Sequence, residues 1–298
     1  MGSTAQDLRK VRRAAEPGLR IGVSLPVREL AGDLGAIRDF AQGAEALGLT
    51  HLRIPDQVIR PGSKPLPEAL TFYSYLAALT TTIELVPSVI VLPLRQTALF
   101  ARQAAQLDVL SAGRLRLGIG VGVNRAEYQA MGVPFGSRGR RCDEQLDVLR
   151  ALWTEPSVTF RGAFHEIEDN GINPLPIQRP IPVWIGARGV PGTAVTRRIG
   201  RAADGWFVLA TPEEYPAVRA GIDAQARAAG RDPAAIGTEA GVAVVGERQH
   251  EWRERVERWH RMGLSHLCLR TLGGDLAPGQ HLPTLEAAVR DLPVPLGA

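Results

Sequence analysis

Short runs rich in valine, isoleucine and leucine alternate along the chain with longer stretches whose apolar positions recur every three or four residues. Glycine, proline, aspartate and asparagine separate each run from the next. The spacing predicts strands over residues 20–26, 51–55, 83–92, 115–120, 182–186, 205–209, 238–245 and 264–270. It predicts helices over 33–47, 67–82, 96–110, 139–153, 193–201, 249–262 and 283–292, with a further one opening at Thr211. Local signals agree with these periods. Asp33 stands where an N-cap belongs, Leu34, Ile37, Ala41 and Ala44 share one face behind it, and Gly48 stops the helix. Thr211, Pro212 and Glu214 form a capping box with proline at the first position. One excursion breaks the alternation: residues 158–167 read as a hairpin around Gly162, and residues 173–182 as proline-rich loop.

Eight strand-helix pairs in succession are the number that closes a (β/α)8 TIM barrel, here with an insertion after the fourth helix. A doubly wound open sheet is the alternative. No composition break marks a linker, so the expectation is a flexible leader over residues 1–18 and a single domain over 19–298. In a barrel the chemistry sits at the carboxyl ends of the strands. The residues brought there are Ser24 and Pro26, Asp56 and Gln57, 88–91, 120–124, 186–188, 207–210, and Arg270 with Thr271.

Composition narrows the chemistry. The chain of 298 residues carries 35 Lys plus Arg against 31 Asp plus Glu, a formal excess of +4 spread along its length, which argues against nucleic acid as a partner. Lys10 and Lys64 are the only lysines, so a barrel-wall Schiff base is excluded. Cys142 and Cys268 do not make a disulfide framework and fit a reducing cytoplasm. The longest apolar run, 83–94, is broken by Glu84, Pro87 and Pro93, and the basic amino-terminal segment lacks the apolar core of a signal peptide, so no membrane partner is expected. The six histidines, His51, His165, His250, His260, His266 and His281, show no ligand spacing, and no metal is expected. No Gly-x-Ser-x-Gly elbow is present, and Cys268 between Leu267 and Leu269 reads as a buried apolar residue. Two glycine-lined loops remain, Gly118 to Asn124 and Gly186 to Gly189, the second with Arg188 ahead of a helix. They suit an anionic cofactor or, equally, two ordinary strand-to-helix turns.

The run LDVLSAGRLRLGIGVG ending at Gly122, MGVPF from Met131, RGRR from Arg138, PVWIG from Pro182 and ADGWF from Ala203 resemble the bacterial luciferase-like monooxygenase family. Within it the chain most resembles the oxidoreductases that use coenzyme F420, a deazaflavin. The likeness runs from about Arg20 to about Leu272 and implies the barrel independently of the strand count, together with a homodimer. It implies that Asp56 and Gln57 lie beside the reacting ring and that Ser88, Val89 and Ile90 back it, with a non-prolyl cis peptide at Ser88–Val89. It places Gly120, Gly122 and Asn124, with Gly186, Ala187 and Arg188, around the cofactor's ribityl chain and phosphate. Two positions depart from the pattern: Gln57 stands where the subgroup carries histidine, and Val123 where its alcohol-oxidising members carry glutamate.

The expected function is therefore hydride transfer between F420 and an activated C=C or C=N bond of a small organic substrate, with the proton supplied by water or by a hydroxyl such as Tyr73 or Tyr128. Phe72, Tyr73, Tyr128 and residues 153–182 are the expected pocket walls. An FMN-dependent monooxygenase on the same barrel is the first alternative, and a flavin-binding protein without turnover the second.

Overall fold

The computed structural model describes residues 18–59 and 66–297, so the expected leader lies, Gly18 apart, outside the described residues. The chain begins β1 (Arg20–Ser24), α1 (Leu34–Ala46), β2 (His51–Ile54), α2 (Ala69–Leu79), β3 (Glu84–Pro87), β4 (Ile90–Val91), α3 (Thr97–Leu110) and β5 (Leu117–Gly120). It continues with α4 (Arg125–Ala130), α5 (Arg138–Thr154), β6 (Val158–Arg161), β7 (Glu166–Asn170), β8 (Val183–Gly186) and α6 (Thr193–Ala202). The last elements are β9 (Gly205–Val208), α7 (Tyr215–Ala228), β10 (Gly237–Ala243), α8 (Trp252–Arg261), β11 (His266–Arg270) and α9 (His281–Arg290).

Nine strands form one sheet in the order β3-β2-β1-β11-β10-β9-β8-β5-β4, and every pairing in it is parallel. Its edges meet where Leu85 N donates to Arg114 O at 2.9 Å and Arg116 N to Leu85 O at 3.1 Å. The result is a near-closed parallel barrel wrapped by helices, of the TIM-barrel type. Its strand count is nine instead of the expected eight, because the run over 83–92 is two strands. β3 pairs with β2 as far as Pro87, which has no amide to donate; after the cis Ser88–Val89 peptide the chain resumes as β4 against β5. A six-residue helix, α4, was also not anticipated, since one and a half turns are too few for a period to register. The expected caps are formed. Asp33 Oδ1 accepts from Ala36 N at 3.0 Å, and the Thr211–Glu214 box closes through bonds of 2.8 and 3.3 Å, one turn ahead of α7.

Strand alternation divides the barrel wall into two faces. Ile21, Leu52, Leu85, Leu117, Ile119, Ile185, Leu267 and Leu269 belong to the large apolar core shared with the helices. The inward positions are unusually polar. Glu239, fully buried, accepts from Arg53 Nη1 and Arg116 Nη1, each at 2.8 Å. Arg116 Nε donates in turn to Glu84 at 3.1 Å, and Arg20 reaches the other oxygen of Glu84 at 3.1 Å. Burial pushes the Glu239 carboxyl up, but the cations around it outweigh burial and hold it well below the ordinary range. Burial pulls His51 and His266, both inside the barrel, below theirs. Trp184 fills the space beside them: a Cβ on Gly205 or Gly237 would come within 2.3 or 2.6 Å of its indole.

The insertion forms the antiparallel β6–β7 hairpin and is buckled to the barrel's helices. Glu144 on α5 accepts from Ala163 N and Phe164 N at 2.7 and 2.8 Å and lies 2.8 Å from His165 Nδ1. His165 Nε2 lies 2.6 Å from Thr97 Oγ1 at the start of α3.

The buried charges make stability pH-dependent. His51 and His266 have lowered folded-state pKa values, so the unfolded chain binds more protons once pH falls below about 6.5. Urea midpoints should be level above about pH 7 and fall between 6.5 and 5. Glu239, depressed in the folded state, adds a further loss only below about pH 4.3. A midpoint unchanged from pH 7.5 to 5 would contradict the histidine assignment. Glu239→Gln at neutral pH should cost about 3–5 kcal/mol, because it leaves two guanidiniums facing one another.

Candidate active site

The carboxyl ends of β2 through β5 and β8 bring the expected residues to the barrel mouth in quite different states. Ser88 Oγ receives a hydrogen bond of 2.5 Å from Arg53 Nη2, so the polar chain inside the barrel reaches the rim through this serine. Val89 projects into the space above Gly120 and Gly186: a Cβ on either would sit 2.9 or 2.7 Å from its methyl groups. Those two glycines accommodate Val89 in this chain. Ile90 is fully buried in the apolar core, which leaves only its backbone for the mouth. Gly122 has φ +65°, a left-handed conformation that suits glycine, and the Asn124 side chain caps α4 by accepting from Ala126 N at 3.1 Å.

Asp56 is paired with an arginine. Arg95 Nη2 donates to its Oδ2 at 2.7 Å, while Arg95 Nη1 lies 3.3 Å from Glu68, the N-cap of α2. The Asp56 side chain is only 2% exposed. Burial raises its pKa, and Arg95 opposes that rise. Among the described residues Gln57 Nε2 reaches Ile59 O, at 3.4 Å, and the following residues are held by Glu127, which is buried and accepts from Val58 N at 2.8 Å. Val123 is exposed.

Two expected proton donors are corrected. Tyr73 is fully buried and donates to Leu52 O at 2.9 Å; Tyr128 is buried and donates to Val121 O at 2.6 Å. Burial raises both phenol pKa values. Apolar side-chain bodies with one backbone acceptor each made them core residues instead of pocket walls. Phe72 likewise packs against the main core.

The second glycine loop is open and leads into a helix without a side-chain cap. Ala187 follows the end of β8, Arg188 is exposed, and Gly192 caps α6 without a side chain, so the first amides of that ten-residue helix have no side-chain acceptor at the cap. A Cβ on Gly189 or Gly192 would meet nothing within 4 Å, which leaves the approach open.

A cavity of about 410 Å³ opens at the ends of β9, β10 and β11, lined by Arg53, Phe207, Glu239, Arg255, Trp259 and Arg270 among others. Of the residues expected at the strand ends, 207–210 and Arg270 line it, whereas none of those expected to touch the cofactor does. Arg53 joins the two regions, stacking 4.7 Å from the Phe207 ring centre while it holds Ser88 and Glu239. Arg53, Arg95 and Glu239 were missed, while Arg270 was expected at this end of the barrel. The available signal was charge at an inward position of an apolar strand, as in Leu52-Arg53-Ile54. Among the described residues one trio has metal-compatible donor spacing, His51, Glu239 and Cys268, within 4.8 Å of one another. Both Glu239 oxygens there already accept from guanidiniums, whose charge would repel a cation.

Comparison with known proteins defines the class. The luciferase-like monooxygenase model matches residues 19–286, and the chain belongs to that family. It is 35% identical to an uncharacterized protein of Mycobacterium tuberculosis over 186 residues, 56% of this chain and 63% of that one. It is 34% identical over 226 residues to the F420-dependent glucose-6-phosphate dehydrogenase of Kineococcus radiotolerans, covering 72% of this chain and 65% of the relative. The matched parts thus span a little under two thirds of these relatives' lengths. A monooxygenase from Streptomyces bottropensis superposes with a TM-score of 0.75 at 20% identity, covering 91% of this chain and 98% of its own. The coenzyme F420-dependent tetrahydromethanopterin reductase of Methanopyrus kandleri gives 0.72 at 17%, with 92% and 98% covered. These two show the fold.

Arg95→Ala should cost about 3 kcal/mol, since it strands the buried Asp56 carboxylate; Asp56→Asn, which keeps an acceptor for Arg95, should cost less. Equal urea midpoints for wild type and Arg95→Ala would show the pair to be unimportant for stability.

Proposed function

We propose that this chain is an F420-dependent oxidoreductase, with residues 19–298 acting as one domain in which β3 and β4 are halves of one strand of an eight-stranded barrel. The observation that carries the reading is family membership together with 34% identity over 72% of the chain to a relative named as F420-dependent. The uncapped start of α6 with Arg188 fits a phosphate, and the mouth over Ser88–Ile90 fits the ring. Bound there, the reduced coenzyme would supply a hydride, two electrons with one proton.

The chain's own contribution is binding, orientation and exclusion of water. Gly186, Ala187 and Arg188 would hold the phosphate, Ser88 and Val89 would back the ring, and Gly120, Gly122 and Asn124 would border it. Arg95 keeps Asp56 from serving as a base, Gln57 and Val123 do not titrate, and the Tyr73 and Tyr128 hydroxyls are committed to backbone acceptors. Oxidation of an alcohol needs a base for the hydroxyl proton, worth on the order of 10² to 10⁴ in rate. Reduction of an activated C=C or C=N bond can take its proton from water. The substrate is therefore an electron-poor double bond.

Fluorescence titration of the purified protein with F420 and, separately, with FMN tests the cofactor. F420 should bind, and Arg188→Ala should weaken it about tenfold, the worth of one charge-assisted contact. Tight FMN binding with no F420 binding would make the protein an FMN enzyme, and binding without reduction of any enone or imine would leave a carrier. Tyr73→Phe and Tyr128→Phe should each cost about 1 kcal/mol of stability and leave the hydride-transfer rate unchanged. A large rate loss in either would restore a hydroxyl donor.

A further inference from the structure

The cavity at the ends of β9–β11 has an uneven charge account. Its lining includes five arginines and four glutamates. Glu239 is held by Arg53 and Arg116, Glu213 by Arg258 at 2.6 Å, and Glu251 by Arg248. Arg255, Arg270 and Glu254 remain, and Glu254 is exposed. Neither arginine has a hydrogen bond or ion pair among the described residues, and the Arg270 Nε is buried without a partner.

Arg270 is placed by the fold. It ends the last barrel strand, and the alternation that turns Leu267 and Leu269 toward the helices turns Cys268 and Arg270 inward. Gly241 on the neighbouring strand makes room for it, since a Cβ there would lie 3.2 Å from Nε and 3.3 Å from Cζ. Arg255 comes from α8, one turn into the helix. Burial lowers the pKa of Arg270, against the Cys268 thiol and with Arg53 adding to it; burial, Arg248 and Arg270 lower that of Arg255. A guanidinium stays protonated at any ordinary pH, so two of them face one cavity, and the acid that acts on Arg255, Glu251, is already paired with Arg248.

We propose that Arg255 and Arg270 form a subsite for the anionic group of the substrate, a carboxylate or phosphate. The inference rests on the hydride-transfer reading for the identity of the ligand as substrate, and it adds that the reducible molecule is an organic anion. About 410 Å³ is enough for a small metabolite-sized body beside that group. Arg53 forms the wall between this subsite and Ser88, so an anion anchored on Arg270 would direct the rest of the molecule toward the expected ring position. Planar guanidiniums suit either oxyanion through paired donors.

Isothermal titration of the purified full chain with inorganic phosphate, and in a second arm with malonate, tests the subsite and separates the two chemistries. Wild type should bind at least one of them saturably, and Arg270→Gln and Arg255→Gln should each weaken that binding about tenfold or more. Thermal melting guards against misfolding. Because Arg270 has no internal partner, Arg270→Met should melt at or above the wild-type temperature, whereas a structural arginine would lower it. Binding of neither anion, or binding unchanged in both glutamine variants, overturns the proposal. F420 titrations on the same variants should match wild type; a loss of F420 affinity in Arg270→Gln would assign the pocket to the cofactor and also overturn it. Anion binding without F420 binding would sink the cofactor reading and leave the anion subsite standing.

Discussion

One carboxylate, Glu239, holds the interior of this barrel together. It sits between the guanidiniums of Arg53 on β2 and Arg116 just ahead of β5, and both would be left with like-charged neighbours without it. Burying three charges is costly in itself, and that cost is offset by the guanidinium donor that each oxygen of the acid accepts from. The apolar layers that usually fill such barrels are here partly replaced by a polar chain running Arg20, Glu84, Arg116, Glu239, Arg53, Ser88. That chain joins the floor of the barrel to its mouth. A change at the floor is therefore linked, through rigid ion pairs, to the serine that opens the strand break.

The same economy of space governs the rim. Val89 takes the volume that Gly120 and Gly186 leave, and the neighbouring interior is filled by Val86, Trp184 and Phe207. The mouth is thus walled by backbone on one side and by arginines on the other.

Much of the architecture was legible because it is local. Every expected barrel strand and every expected helix is present, and the Asp33 and Thr211 caps form the predicted bonds. What was not legible is what depends on partners distant in sequence. Tyr73 reads as a pocket wall until the carbonyl of Leu52 takes its hydroxyl, and Asp56, expected beside the ring, shows no partner until Arg95, thirty-nine positions on, pairs with it. The split of β3 from β4 follows from the family likeness but not from hydropathy, since Val86 through Leu94 is apolar enough to pass for one strand. Arg53, Glu84, Arg116, Glu239 and Arg270 were visible as charges inside strand runs. Only closure of the sheet reveals that the first four point at one another and that Arg270 faces the cavity.

Trp184 illustrates what this packing permits. Its indole occupies the volume that side chains on Gly205 and Gly237 would need, so three strands share one residue's bulk and none can enlarge without displacing it. Mutational drift inside the barrel must then be concerted across strands, which makes it rare. Helix α8 is under no such restriction: Arg255 and Glu254 reach the cavity from a face whose packing is borne by Trp252, Val256 and Trp259. Divergence among chains of this architecture can thus proceed on a helix surface, where ligand preference is rewritten residue by residue while the barrel beneath stays frozen.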